Sequence, residues 1–248
     1  MASVITGGSV AFNVAATVAR PWLMVGTRRA WSGAQHLPGS GGFVVVSNHI
    51  SHADPFVLAH YLVDNGQVPH FLGKIEVFTI PVIGAVLRAA EQIPVYRESA
   101  QAGQAYRAAV RAVQAGQCVV AYPEGTLTRE PDQWPMKGKT GAARIALETG
   151  CPIIPVAQWG AQDLLPPYAR FPRRGRHTMQ VCAGPPVDLS AFRDRPPDHD
   201  LLEAATEAVM TALTTQLEEL RGASAPPGRF DPDAHGLTRT GKPGPRKE

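Results

Sequence analysis

No stretch of this sequence is long and apolar enough to read as a membrane-crossing helix. Residues Val4 to Val25 come nearest, but Arg20 and Pro21 interrupt them and polar residues dilute their start. A spanning helix needs about 20 apolar residues with few charges. The same stretch has neither a basic leader nor a cleavage site, so it does not read as a signal peptide. Cysteine is scarce: Cys118, Cys151 and Cys182 form no CxxC pair, which argues against a disulfide framework or a zinc knuckle. They read as buried thiols in a reducing compartment. Charge of one sign is also lacking. The net charge of +3 is too small to argue for nucleic acid. There is no GxSxG elbow and no internal repeat.

What is present suits an α/β domain. The chain has 248 residues, of which 44% are hydrophobic, enough for a core of useful size. Short apolar runs read as strands at Phe43–Val46, Phe71–Gly73, Gln92–Tyr96, Cys118–Tyr122, Ile153–Ala157 and Met179–Ala183. Helical stretches alternate with them, one beginning near Ser51 to Asp54 and continuing through Tyr61, the others at about 106–115 and 141–149. A last helix is capped by Asp198 and carries an apolar stripe from Leu201 to Leu220. The alternation predicts a single α/β domain with a mostly parallel or mixed central sheet flanked by helices. Residues 1–32 are expected to form an N-terminal helical segment. Phe12, Val18, Trp22 and Leu23 would face a membrane interface, with Arg20, Arg28 and Arg29 meeting lipid phosphates. The domain proper is expected at 33–221. The Pro-, Gly- and charge-rich segment 222–248 is expected to be disordered.

Two polar segments sit at strand ends, the first at a strand-to-helix turn, where open α/β sheets place active groups, and the second at a strand-to-turn junction. The first is Asn48-His49-Ile50-Ser51-His52-Ala53-Asp54-Pro55. A carboxylate at Asp54 can fix the tautomer of His49 and leave its other ring nitrogen to remove a proton from a hydroxyl. A purely structural alternative has Asp54 capping a helix beside a solvated histidine. Ser51 reads as a helix cap. His49, His52 and Asp54 do not match a metal-ligand spacing, so no metal is expected. The second segment is Tyr122-Pro123-Glu124-Gly125-Thr126, whose glycine permits close backbone approach to an anion. Val77, Phe78, Ile80, Val82, Ile83, Val86 and Leu87 could line an apolar groove or simply form core. The loop 159–176, with Trp159, Phe171, Arg170, Arg173, Arg174 and Arg176, suits an anionic surface or a phosphate-bearing ligand.

Taken in order, Asn-His-x-Ser-x-x-Asp-Pro and Tyr-Pro-Glu-Gly-Thr resemble the glycerophospholipid acyltransferase family, which includes the lysophosphatidic acid acyltransferases. Gly73-Lys74, the run Ile93 to Arg97, and Ile153-Ile154-Pro155-Val156 resemble that family's other blocks. The resemblance covers roughly residues 20 to 190. It implies transfer of an acyl chain from acyl-CoA or acyl carrier protein to a glycerol hydroxyl of a lysophospholipid. Glycerol 3-phosphate or another lipid alcohol is the alternative acceptor. No cofactor is implied beyond the thioester, and the expected location is the cytoplasmic face of the membrane, peripheral or monotopic. His49 would be the base and Asp54 its orienting partner. Lys74, Arg97, Glu124, Gly125, Thr126 and Lys137 would bind the acceptor phosphate or shape its site. The family often has arginine after Glu-Gly-Thr; here Leu127 and Thr128 follow, leaving Arg129, Lys137 or Lys139 to meet the same anion. A thioesterase, a lipid esterase or a non-catalytic membrane-binding protein are the competing classes.

Overall fold

The computed structural model describes residues 8–96, 102–169, 171–193 and 195–237. Arg97, Arg170 and the side chain of Trp22 lie outside the described residues. The chain runs α1 (Val10–Gly26), β1 (Thr27–Ser32), β2 (Phe43–Ser47), α2 (Asp54–Asp64), β3 (Pro69–Lys74), α3 (Ile75–Phe78), α4 (Ile83–Ala89) and β4 (Ile93–Val95). It continues through α5 (Ala102–Gln114), β5 (Cys118–Ala121), α6 (Gly141–Thr149), β6 (Ile153–Trp159), α7 (Ala161–Leu164), β7 (His177–Ala183) and α8 (His199–Arg221).

The seven strands form one sheet in the order β1-β7-β6-β2-β5-β3-β4. Every neighbouring pair is parallel except β6 with β7. Strand β2 has a partner on either side, and all its residues are buried, as its unbroken apolar run requires of a central parallel strand. Its side chains alternate between two cores. Val44 and Val46 meet α5, α6 and α8, whereas Phe43 and Val45 meet α2 and α7. On α2 the stripe Val57, Leu58, Tyr61 and Leu62 is fully buried. Truncating Leu58 to alanine would cost roughly 2–5 kcal/mol. The Asp198 carboxylate caps α8 through the Leu201 amide at 2.8 Å, and Gly222 closes that helix in the left-handed conformation at φ 60°.

Three expectations are corrected. Residues Thr27–Ser32 are not helix but the edge strand β1, paired in parallel with β7. Its residues Arg28, Arg29 and Ala30 are all exposed, so no alternation announced it. Arg20 and Arg29 do not point to solvent anions. Both bond the carboxylate of Asp64 on α2, at 2.7 and 2.9 Å, beside the Trp31 indole at 3.1 Å. That carboxylate fastens α1 and β1 to the body of the domain. Of the tail expected at 222–248, residues 238–248 lie outside the described residues, and the part 222–237 makes defined contacts with the domain. Arg229 grips Glu207 and Thr214 of α8, and the Phe230 carbonyl accepts the Lys137 amide at 2.9 Å.

Candidate active site

Strand β2 ends at Ser47 and its neighbour β5 at Ala121, with Val46 opposite Ala121. Parallel register therefore delivers Asn48-His49 and Tyr122-Pro123-Glu124 to the same edge, side by side. Lys74, at the end of β3, reaches that edge too. The junction expected from sequence thus becomes one constellation.

The Asp54 side chain is fully buried, and one oxygen, Oδ2, gathers three donors. His49 Nδ1 lies 2.9 Å away, and the backbone N–H groups of Ile50 and Ser51 donate at 2.6 and 2.8 Å. These bonds hold the carboxylate where it can accept only from the Nδ1 side of the imidazole. The tautomer with Nδ1–H leaves Nε2 as the basic nitrogen. The His49 ring is partly exposed, with 15% of its side chain reaching solvent, so an acceptor can approach it. Tyr122 stacks on it, ring centroids 4.2 Å apart and planes at 22°.

Glu124 acts from beneath. Its Oε1 accepts the His49 amide at 3.1 Å and its Oε2 the Met136 amide at 2.9 Å. Burial pushes the carboxyl up to about 8, against the bonds from Met136, His49 and Thr128 that favour its ionised form. The His49 carbonyl in turn accepts the Thr128 amide at 2.7 Å. Asn48 is fixed by reciprocal bonds with Gln158, whose amide donates to Asn48 Oδ1 at 2.9 Å while Asn48 Nδ2 donates to the Gln158 carbonyl at 3.0 Å. The base therefore sits in a main chain pinned on both sides. Sequence reading had no signal for these partners, because Met136, Thr128 and Gln158 act through backbone groups or lie far along the chain.

The remaining candidates divide. His52 lies near the site. Burial, then the neighbouring His49, hold it below the ordinary histidine value, with Lys74 adding to the effect and Asp54 opposing it. Gly125 has φ 71°, and a Cβ there would come within 3.3 Å of the Lys139 ammonium. Lys139 therefore borders the Glu-Gly-Thr turn. Lys137 does not join it: its ammonium lies 3.6 Å from Glu203 and 4.0 Å from Asp231. Leu127 is buried, so the position after Glu-Gly-Thr offers no cation. Ser51 is not the helix cap. Residue Ala53 holds that place, and Ser51 Oγ accepts the Ala53 amide while donating to the Leu165 carbonyl at 2.6 Å. The apolar residues after Lys74 split as well: Phe78 is core, but Val77, Ile80, Val82, Ile83 and Val86 are exposed.

A chloroplastic 1-acyl-sn-glycerol-3-phosphate acyltransferase of Brassica napus is 32% identical over 136 residues, 54% of this chain and 38% of the relative. A 1-acyl-sn-glycerol-3-phosphate acyltransferase of Borreliella burgdorferi is 27% identical over 143 residues, 57% of this chain and 55% of the relative. The chain thus matches between 38% and 55% of the length of these relatives. In fold it is similar to the crystal structure of the 1-acyl-sn-glycerophosphate acyltransferase PlsC of Thermotoga maritima, with a TM-score of 0.65 and 22% identity over 87% of this chain and 81% of that one. The family model described as Acyltransferase matches residues 28–159, which hold both polar segments and more than half of the sequence, and the chain belongs to that acyltransferase family.

Proposed function

We propose that this protein moves a fatty acyl chain from acyl-CoA or an acyl carrier protein to the free glycerol hydroxyl of a lysophosphatidic acid-type acceptor. The observation that carries the reading is the His49–Asp54 pair at 2.9 Å, with Asp54 buried and locked by two backbone donors. His49 Nε2 takes the proton of the acceptor hydroxyl as its oxygen attacks the thioester carbonyl. A tetrahedral oxyanion forms. It collapses with cleavage of the C–S bond, and the thiolate leaves and takes the proton back from the imidazolium. General-base assistance of this kind is worth about 10²–10⁴ in rate. No cofactor enters these steps.

The acceptor's phosphate needs cations beside the base. Lys74 and Lys139, with Arg97, are the residues assigned to it here, and Gly125 and Thr126 shape the turn against which it lies. The relatives' names, which specify acylation of a glycerol phosphate already acylated once, support this acceptor over glycerol 3-phosphate.

The reading extends to a peripheral site on the cytoplasmic face of a membrane. Among the described residues no helix is long and apolar enough to cross one. However, Val10, Val14, Val18 and Val25 of α1 are exposed, as are Ile80, Val82, Ile83 and Val86 on and before α4, and Ser9 Oγ bonds the Ala89 carbonyl to join the two helices. Adjoining apolar surface of this kind suits a lipid interface.

The test is acyl transfer on vesicles containing lysophosphatidic acid, with wild type against His49→Ala and Asp54→Asn. Diacylated product from wild type, and a loss of at least about 10²-fold in both variants, is expected. Free fatty acid released at full rate without acceptor would replace the reading with a thioesterase. Equal turnover of glycerol 3-phosphate would replace the acceptor.

A further inference from the structure

The proposed reaction requires the His49 imidazole to keep one orientation, and one of the two segments that hold its backbone itself lacks regular structure. Residues 122–140, which carry Glu124, Thr128 and Met136, contain neither helix nor strand. No ladder of backbone bonds stiffens them. Beyond scattered backbone bonds, side chains order them: Thr128 Oγ donates to the Trp134 carbonyl at 2.7 Å, and Glu130 accepts the amides of Asp132 and Trp134 at 2.8 and 2.9 Å. The Trp134 indole is buried against Met210, Leu213 and Leu217 of α8.

At the last turn of the same helix stands Arg221. Its guanidinium carbon lies 3.9 Å from the centre of the Trp134 ring and 4.1 Å from that of Trp159, over both faces. Its Nη1 donates to the Asp132 carbonyl at 3.0 Å. Trp159 follows Gln158, the residue that fixes Asn48; Trp134 closes the loop whose Thr128 amide bonds the His49 carbonyl. One side chain therefore ties together the two segments that pin the backbone on either side of the base.

We infer that Arg221 is a positioning residue for His49, acting through Trp134 and Trp159. A planar guanidinium can lie flat on two indoles and still donate in its own plane. An ammonium is a point charge on a flexible stem and cannot satisfy all three contacts. The grip reaches the base only through the loop and the end of β6, so Arg221 itself touches no reacting atom.

The kinetic consequence rests on the acyl-transfer reading; the effect on the His49 ring does not. The experiment compares wild type, Arg221→Met, Arg221→Lys and, as control, Arg111→Met on the exposed face of α5. All are measured well below their melting temperatures. The His49 ring resonances are titrated by NMR, and kcat and KM for the thioester are measured in parallel, with His49→Ala as the inactive reference. In Arg221→Met the His49 titration should shift and kcat should fall roughly ten- to a hundredfold with KM for the thioester little changed. Arg221→Lys should recover part of both, and Arg111→Met should match wild type. A folded Arg221→Met with wild-type His49 titration overturns the inference, including the case where only its melting temperature falls. If the methionine variant does not fold, Arg221→Lys decides on the same titration. If wild type transfers no acyl group, the functional reading fails while the titration still judges Arg221.

Discussion

Tyr122 lies nearly face to face with His49, ring centroids 4.2 Å apart, at the point where two neighbouring parallel strands end. The base must become an imidazolium during the reaction, and an aromatic face attracts a cation. Desolvated contacts of this type are worth up to about 2 kcal/mol. The tyrosine ring, rather than its hydroxyl, supplies the effect. Its hydroxyl has a long contact of 3.4 Å with Gln158 and is held well above the ordinary phenol value by burial. Tyr122→Phe should therefore keep most of the activity. Tyr122→Leu should remove stabilisation of the imidazolium that forms in the transition state and lower kcat by up to about thirtyfold, at tenfold per 1.36 kcal/mol. An unchanged kcat in Tyr122→Leu would refute this.

Glu124 makes a prediction about stability. Its folded-state value, about 8, stands above the ordinary 4.5 because the carboxyl is buried. The folded state therefore holds a proton that the unfolded chain releases earlier. The stability this group contributes is fully present below about 4.5 and is lost as pH rises towards about 8, after which it changes no further. Glu124→Gln has no such proton. Urea unfolding from pH 5 to 9 should show wild type losing stability relative to the variant up to about 8 and running parallel above it. A constant difference across that range would contradict the assignment. The glutamine nitrogen, unlike a carboxylic hydroxyl oxygen, cannot accept either of the two converging backbone N–H groups, so the variant should be the less stable protein at low pH.

How much of this was readable from the chain depends on what each residue spends its side chain on. Strands β2, β5 and β6 are buried on both faces, and their unbroken apolar runs say so. The dyad was legible because His49 and Asp54 are separated by about one turn and the bond is local. Strand β1 was not, because Arg28, Arg29 and Ala30 lie exposed and its place in the sheet comes from backbone pairing with β7. The strap 222–237 has the composition of a loose tail, yet Arg229 and Phe230 fix it through contacts that follow no period. Lys137 and Lys139 stand on an irregular segment, so neither helical nor strand spacing could say which one faces Gly125. The structure turns the first towards α8 and the second towards the glycine.

Val82 carries local strain. It has φ 66° and ψ −58°, a region valine rarely adopts, and the Ile83 amide closes a three-residue turn onto the Pro81 carbonyl at 2.8 Å. Strain of this kind costs of order 1–3 kcal/mol. Its side chain is 76% exposed, so little packing is lost on removing it. Val82→Gly should raise the melting temperature by about 2–4 °C per kcal/mol relieved. A lower melting temperature would mean that the valine side chain stabilises the turn more than its backbone strains it.

The exposed valines of α1 yield the last prediction. Val14 and Val18 are 58% and 62% exposed on a helix fastened at one end by Ser9 to α4 and near the other by Arg20 to Asp64. Because both anchors are polar, replacing the valines leaves the fastening intact. Burial of an apolar side chain of this size in a lipid interface is worth roughly 1.5–3 kcal/mol. Val14→Ser with Val18→Ser should then weaken vesicle binding by about tenfold or more, a loss measurable by co-sedimentation. The melting temperature should barely move, and turnover of a short-chain, water-soluble acceptor should be preserved, because His49 and Asp54 lie on the sheet edge and not on this helix. Unchanged sedimentation of the double variant would remove α1 from the membrane surface and leave the exposed residues before and on α4 as the face to test next.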